Sequence, residues 1–133
     1  MSKPIDFKLL SPLTLAYMGD AVLDQFVRGH IILKHQSKPN RLHQEAKRFV
    51  SAKSQAQTLE ELLADDWFTE SELAIIKRGR NAKSHTKAKN TDIQTYRKSS
   101  GLEALIGYLH LAQETDRIIE LLYEIVNRVE KRC

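Results

Sequence analysis

Ser11-Pro12-Leu13-Thr14-Leu15-Ala16-Tyr17-Met18-Gly19-Asp20-Ala21-Val22-Leu23 is the stretch whose reading decides the fold. A serine followed by proline starts a helix: the hydroxyl can accept from an orphan N–H of the first turn, and the fixed φ of proline suits the first helical position. Apolar residues then recur as far as Leu33 with no further proline, which predicts a first long helix.

The same punctuation continues outward. Pro39 can open a second helix, with Leu42, Ala46, Phe49 and Val50 at i, i+4, i+7 and i+8. Ser51 is placed to cap a third, carrying Ala56, Leu59, Leu62 and Leu63 and closed by Asp65-Asp66-Trp67. Thr69 and Glu72 have capping-box spacing and lead into Leu73, Ala74, Ile75 and Ile76, with Gly79 read as the stop. Thr91 and Gln94 repeat that spacing before a helix running to about Gln113, and Thr115 is read as the cap of a last one bearing Ile118, Leu122, Ile125, Val126 and Val129. β-branched residues alternate with polar ones over no long stretch, so strands have little to build on. The expectation is one all-α domain over residues 1–133, of about six or seven helices.

Composition agrees. Hydrophobic residues make up 41% of the 133 and charged residues 29%, the balance of a globular domain. No apolar run approaches the roughly 20 residues needed to cross a bilayer, and the N-terminus lacks a signal-peptide core, so a cytoplasmic location is expected. The single cysteine, Cys133, is read as a bystander, and the five histidines form no metal-ligand pattern. Neither a glycine-rich phosphate loop nor a nucleophilic serine motif is present.

Two acids stand out. Asp20 has Ala16, Tyr17, Leu23 and Asp24 as its helical neighbours, mostly a face expected to be buried, and Glu103 is flanked by Leu102, Ala104, Leu105 and Ile106. An ionised carboxylate among apolar groups is costly, and is usually protonated, hydrogen-bonded, paired or bound to a cation. If the two helices pack together, the acids could share a hard divalent cation such as Mg²⁺. A solvent-facing acid, or a buried one paired with arginine, would fit the same spacing.

Charge is concentrated. Residues 77–90 contain Lys77, Arg78, Arg80, Lys83, Lys87 and Lys89 and no acid, whereas the chain as a whole carries only +4, leaving the other 119 residues at −2. A loop of this kind on a mildly acidic body reads as a contact to nucleic-acid phosphates, or else as a solvated face. Arg41, Lys47 and Arg48 add charge on the second helix.

These residues resemble a known family. Asp20 in Met18-Gly19-Asp20-Ala21-Val22-Leu23 resembles the signature aspartate of the ribonuclease III domain, and Glu103 in Leu102-Glu103-Ala104-Leu105-Ile106-Gly107 resembles its second metal-binding glutamate. The chain is similar to the stand-alone short form, Mini-ribonuclease III, which has no double-stranded-RNA-binding domain. The resemblance implies an all-helical homodimer that hydrolyses double-stranded RNA with Mg²⁺ and matures the large-subunit (23S) ribosomal RNA precursor. It gives Asp20 and Glu103 the catalytic and metal-binding roles. Arg78, Arg80, Asn81, Lys83, Lys87 and Lys89 would bind RNA, since that short form also carries a basic loop between the motif helices. The wider family has a glutamate where this sequence has Ala16 and an aspartate where it has Ser100, so the expectation is one firmly held Mg²⁺, any second ion arriving with RNA. A non-catalytic RNA-binding or ribosome-assembly module of the same fold is the alternative; a helical DNA-binding or protein-interaction domain is a weaker one.

Overall fold

A computed structural model describes residues 5–35, 38–82 and 92–132. Among these there are six α-helices and no strand: α1 (Pro12–Lys34), α2 (Pro39–Val50), α3 (Ala52–Ala64), α4 (Glu70–Asn81), α5 (Ile93–Leu111) and α6 (Thr115–Glu130), preceded by a short 3-10 turn, Phe7–Leu9. None is long and apolar enough to cross a membrane.

The starts follow from local chemistry. Ser11 accepts from the Leu13 N–H with Pro12 at the first position of α1, and Ser51 caps α3 through the Ser54 N–H. Thr69 and Glu72 form the full capping box at α4, each side chain taking the other's backbone N–H at 3.1 and 2.9 Å. Two ends close in the same way. At the end of α3, Asp66 adopts a left-handed φ of 52° and the Trp67 N–H returns to the Leu62 carbonyl; after α5, Gln113 at 58° lets the Glu114 N–H return to Leu109.

Three boundaries differ from the sequence reading. Asp92 caps α5 by accepting from the Thr95 N–H, a position beyond Thr91, which itself lies outside the described residues. Glu114 precedes α6 and Thr115 is its first residue. The third is the largest: Lys77–Asn81 are the closing turns of α4 and belong to no loop, and Gly79 does not stop the helix. Gly79 is buried against α5, where an added Cβ would lie 2.8 Å from the Gly101 Cα, so it serves close packing and needs no left-handed turn.

α5 is the axis of the domain. Leu102, Ala104, Leu105, Ile106 and Leu109 are all buried, and α1, α3, α4 and α6 pack around it. Such a helix has no polar stripe, whereas α2 and α6 bury one face each. Against α5, α1 buries Leu15, Gly19, Leu23, Val27 and Ile31, one residue every four. The pair touches at backbone distance: a Cβ on Gly19 would lie 1.8 Å from the Glu103 carbonyl oxygen, and one on Gly107 would lie 1.8 Å from that of Leu15. As Leu15 faces Gly107 and Gly19 faces Glu103, the two helices run antiparallel.

Glu72 shows how this fold treats a buried acid. Arg117 meets both its carboxylate oxygens at 2.7 Å, stacks 3.9 Å over the Trp67 ring and donates to the Trp67 carbonyl, which ties α6 to the start of α4. The arginine and the hydrogen bonds from Thr69 outweigh burial and hold the Glu72 carboxyl below its ordinary value.

The glycines yield a paired prediction. Gly19→Ala and Gly107→Ala must separate two backbones, so each costs more than about 3 kcal/mol or abolishes cooperative unfolding. Gly29, with nothing within 4 Å of an added Cβ, gains about 0.5–1 kcal/mol as alanine, because only helix propensity changes. Urea denaturation followed by circular dichroism tests all three; a mild effect at Gly19 and Gly107 would contradict the close crossing.

Candidate active site

The glycine crossing brings the two motif acids together. Gly19 packs on the Glu103 backbone, so Asp20, the next residue, lies beside the Glu103 side chain, and the two carboxyls share a hydrogen bond. They differ in environment. Asp20 is exposed, contrary to the expectation of a buried face, because the buried line of α1 runs through Leu15, Gly19 and Leu23 with Ala16 beside it, and Asp20 sits at its margin. Glu103 is mostly enclosed.

A third group completes the site. Gln55, on the first turns of α3, donates from Nε2 to Glu103 Oε2 at 3.2 Å and to the Val50 carbonyl at 2.9 Å. The sequence reading missed it. The available signal was a polar residue on the apolar stripe of α3, beside Ala56 and in line with Leu59 and Leu62.

Electrostatics separate Glu103 from Glu72. Burial pushes the Glu103 carboxyl up, the hydrogen bond and negative charge of Asp20 push it further, and only the Gln55 amide opposes them; the balance is a pKa of about 8. Among the described residues, no lysine or arginine forms an ion pair with Asp20 or Glu103, whereas Glu72 has Arg117. Nor do these residues contain a group of three or more acids, histidines or cysteines able to hold a metal. The donor set is thus two carboxyls, one of them protonated near neutral pH and short of positive charge. This suits a hard divalent cation that keeps much of its own water. Ala16 and Ser100 are buried and supply no carboxylate.

The basic residues are only partly within view. Arg78 donates to the carbonyls of Lys8 and Leu10, so two of its five N–H donors fasten the 3-10 turn to α4. The Arg80 stem packs over Gly101, two residues before Glu103 on α5. With Lys77 and Asn81 it lines a hollow of about 420 Å³ that also includes Leu63, Leu73 and Ile76. Lys83, Lys87 and Lys89 lie outside the described residues.

Comparison with known proteins converges on the same class. Residues 13–114 match the model of the ribonuclease III domain, and the chain belongs to the ribonuclease III family, whose members are endoribonucleases. Within that family the similarity is to short members. The chain is 66% identical to the Mini-ribonuclease 3 of Staphylococcus aureus over 94% of its own length and 93% of the relative's, and 48% identical to that of Streptococcus pneumoniae over 95% and 98%. A crystal structure of a Fusobacterium nucleatum protein superimposes with a TM-score of 0.79 at 25% identity, covering 93% of this chain and 98% of that one. A purely non-catalytic module is therefore set aside, and the protein is an endoribonuclease.

The raised carboxyl has a consequence for metal-free protein. The folded state keeps the Glu103 proton up to about pH 8, whereas the unfolded chain releases it near 4.5. Between these values the unfolded state binds fewer protons, so stability is fully present below about pH 4.5 and falls as pH rises to about 8. The loss amounts to a few kcal/mol at most. Glu103→Gln removes this slope, and its urea midpoint in EDTA should exceed that of the unmodified protein at pH 8.5 while matching it near pH 5. Parallel curves for the two proteins would overturn the assignment.

Proposed function

We propose that this endoribonuclease cleaves double-stranded RNA with Mg²⁺ held between Asp20 and Glu103, acts as a homodimer, and matures the large-subunit ribosomal RNA precursor in the cytoplasm. The observation that carries the reading is the meeting of two carboxyls at the α1–α5 crossing, with no lysine or arginine among the described residues paired to either. The match to the ribonuclease III domain supports an RNA substrate; the ribosomal precursor is what the resemblance to the stand-alone short form implies.

Mg²⁺, when bound, supplies Lewis-acid activation of a water and neutralisation of charge on the scissile phosphate. The chain's own part is positioning. Asp20 presents its oxygens at the surface, where a phosphodiester can reach them, while Glu103 lies deeper and must give up its proton to act as a ligand. Gln55 donates to the ionised form of Glu103. No side-chain nucleophile is required.

Apolar exposure supports self-association. Leu9 is 79% exposed, Tyr17 80% and Leu13 37%. Leu13 and Tyr17 stand one turn apart on α1, with Asp20 three residues further along the same face. Exposed apolar side chains a turn from the proposed catalytic Asp20 suit a twofold contact, which sets two equivalent sites against the two strands of a duplex. The basic residues Arg80, Asn81, Lys83, Lys87 and Lys89, with the remaining donors of Arg78, are proposed to grip phosphates and sugar edges across the RNA grooves.

Incubation with end-labelled double-stranded RNA tests the reading. Cleavage is expected to need Mg²⁺ and to disappear in Asp20→Asn; RNA left intact by the unmodified protein in Mg²⁺, despite binding, would sink it. If about six cations each neutralise a phosphate, RNA affinity should fall roughly 10³-fold between 50 and 200 mM salt. A nearly flat dependence would remove the basic segment from the interface. In sedimentation at micromolar concentration the unmodified chain should be dimeric and Tyr17→Ser shifted toward monomer; an unmodified monomer would refute the dimer.

A further inference from the structure

We infer that Gln55 is a positioning residue for the endonuclease reaction, holding one oxygen of the Glu103 carboxyl to the carbonyl end of α2 so that the other is left to the metal. The inference rests on the proposal that Asp20 and Glu103 bind Mg²⁺.

The geometry fixes the role. Gln55 is 2% exposed, and its Nε2 sits between two acceptors, the Val50 carbonyl and Glu103 Oε2. Turning the amide over would set Oε1 against both of those oxygens, so only one orientation satisfies them. Val50 is the last residue of α2 and Gln55 belongs to α3, so the amide ties the α2–α3 junction to a side chain on the central helix.

The same orientation leaves Gln55 Oε1 buried without a hydrogen-bond partner among the described residues. A buried unsatisfied acceptor costs roughly 1–3 kcal/mol. Packing alone does not call for that acceptor: methionine has similar length and fills the space without it, and what methionine lacks is the donor that Nε2 gives to the Val50 carbonyl and Glu103 Oε2. A glutamine kept at that cost, with its donor end on Glu103, points to a requirement for the donor. Groups that orient a metal-binding side chain from behind in this way typically change metal affinity by about 10- to 100-fold when removed.

The test is Gln55→Met, beside Asp20→Asn and the unmodified protein. Mg²⁺ binding is measured by calorimetry without RNA, cleavage of a short RNA duplex by kcat and KM, and folding by thermal melts. Gln55→Met is expected to stay folded and melt cooperatively, the loss of the Nε2 bonds being partly offset by removal of the unpaired Oε1, to bind Mg²⁺ about 10- to 100-fold more weakly, and to lose kcat with KM for RNA little changed. Unaltered Mg²⁺ affinity in Gln55→Met, with binding abolished in Asp20→Asn, would overturn the positioning role and leave the metal reading intact. An unmodified protein with no Asp20-dependent Mg²⁺ binding would overturn both. Should Gln55→Met not fold, the decision passes to the unmodified protein: its Gln55 side-chain amide resonances are expected to shift on Mg²⁺ addition, and resonances that stay fixed would overturn the inference.

Discussion

The contact on which everything else depends is the one between Gly19 and Glu103, repeated one turn away between Gly107 and Leu15. Two helices crossing at ordinary side-chain distance would hold their acids on separate surfaces. Here the absence of two Cβ atoms lets carbonyl oxygens fill the space, and Asp20 and Glu103 are brought within reach of each other as a consequence of the backbone path. α1 can then follow α5 with one buried residue every four, since each step of four positions rotates the buried line slightly and wraps it around its partner. A second glycine pair, Gly79 and Gly101, anchors α4 to the other side of α5 and fixes where the basic segment departs.

Two acids in one small core are treated in opposite ways, and the comparison separates structure from chemistry. Glu72 receives the Thr69 N–H and the bidentate Arg117 guanidinium, so its charge is fully answered and its carboxyl is held low. Glu103 receives one amide and lies against another acid, so its carboxyl is pushed to about 8. A protein needing only stability would treat both as it treats Glu72. Retaining an acid whose ionised form is destabilised by burial makes sense where something positive arrives later.

Much of this was legible in the sequence, because it rests on local rules. Ser11-Pro12 and the Thr69–Glu72 box mark helix starts by supplying acceptors for specific orphan N–H groups, and those bonds form. The pairing of Asp20 with Glu103 was readable only as a condition, that the two helices pack together. What failed was long-range. Gly79 looks like a terminator because glycine commonly ends helices, yet its role is set by Gly101, 22 residues away, which no local rule sees. Asp20 looked buried because its helical neighbours Ala16, Tyr17 and Leu23 are mostly apolar, and only the partner helix decides which of them face inward: Ala16 and Leu23 do, Tyr17 does not. Gln55 escaped notice for the same reason: a glutamine near a helix start is ordinary until a carboxyl from another helix is found at its amide.

The two positions that depart from the wider family are explicable in the same terms. Ala16 and Ser100 are both buried, at 8% and 5% exposure. A carboxylate at either position would add a buried acid to a core in which Glu103 already lacks a cation among the described residues, and repulsion would raise the proton affinity of all of them. With alanine and serine there, the metal-free protein carries one costly carboxyl, which protonation neutralises near pH 7, and one exposed aspartate that water solvates. A site of two acids is therefore easier to keep folded than a site of four, and demands more of each acid that remains. That is the setting in which the orientation of a single side chain, fixed by one buried amide, has the most to contribute.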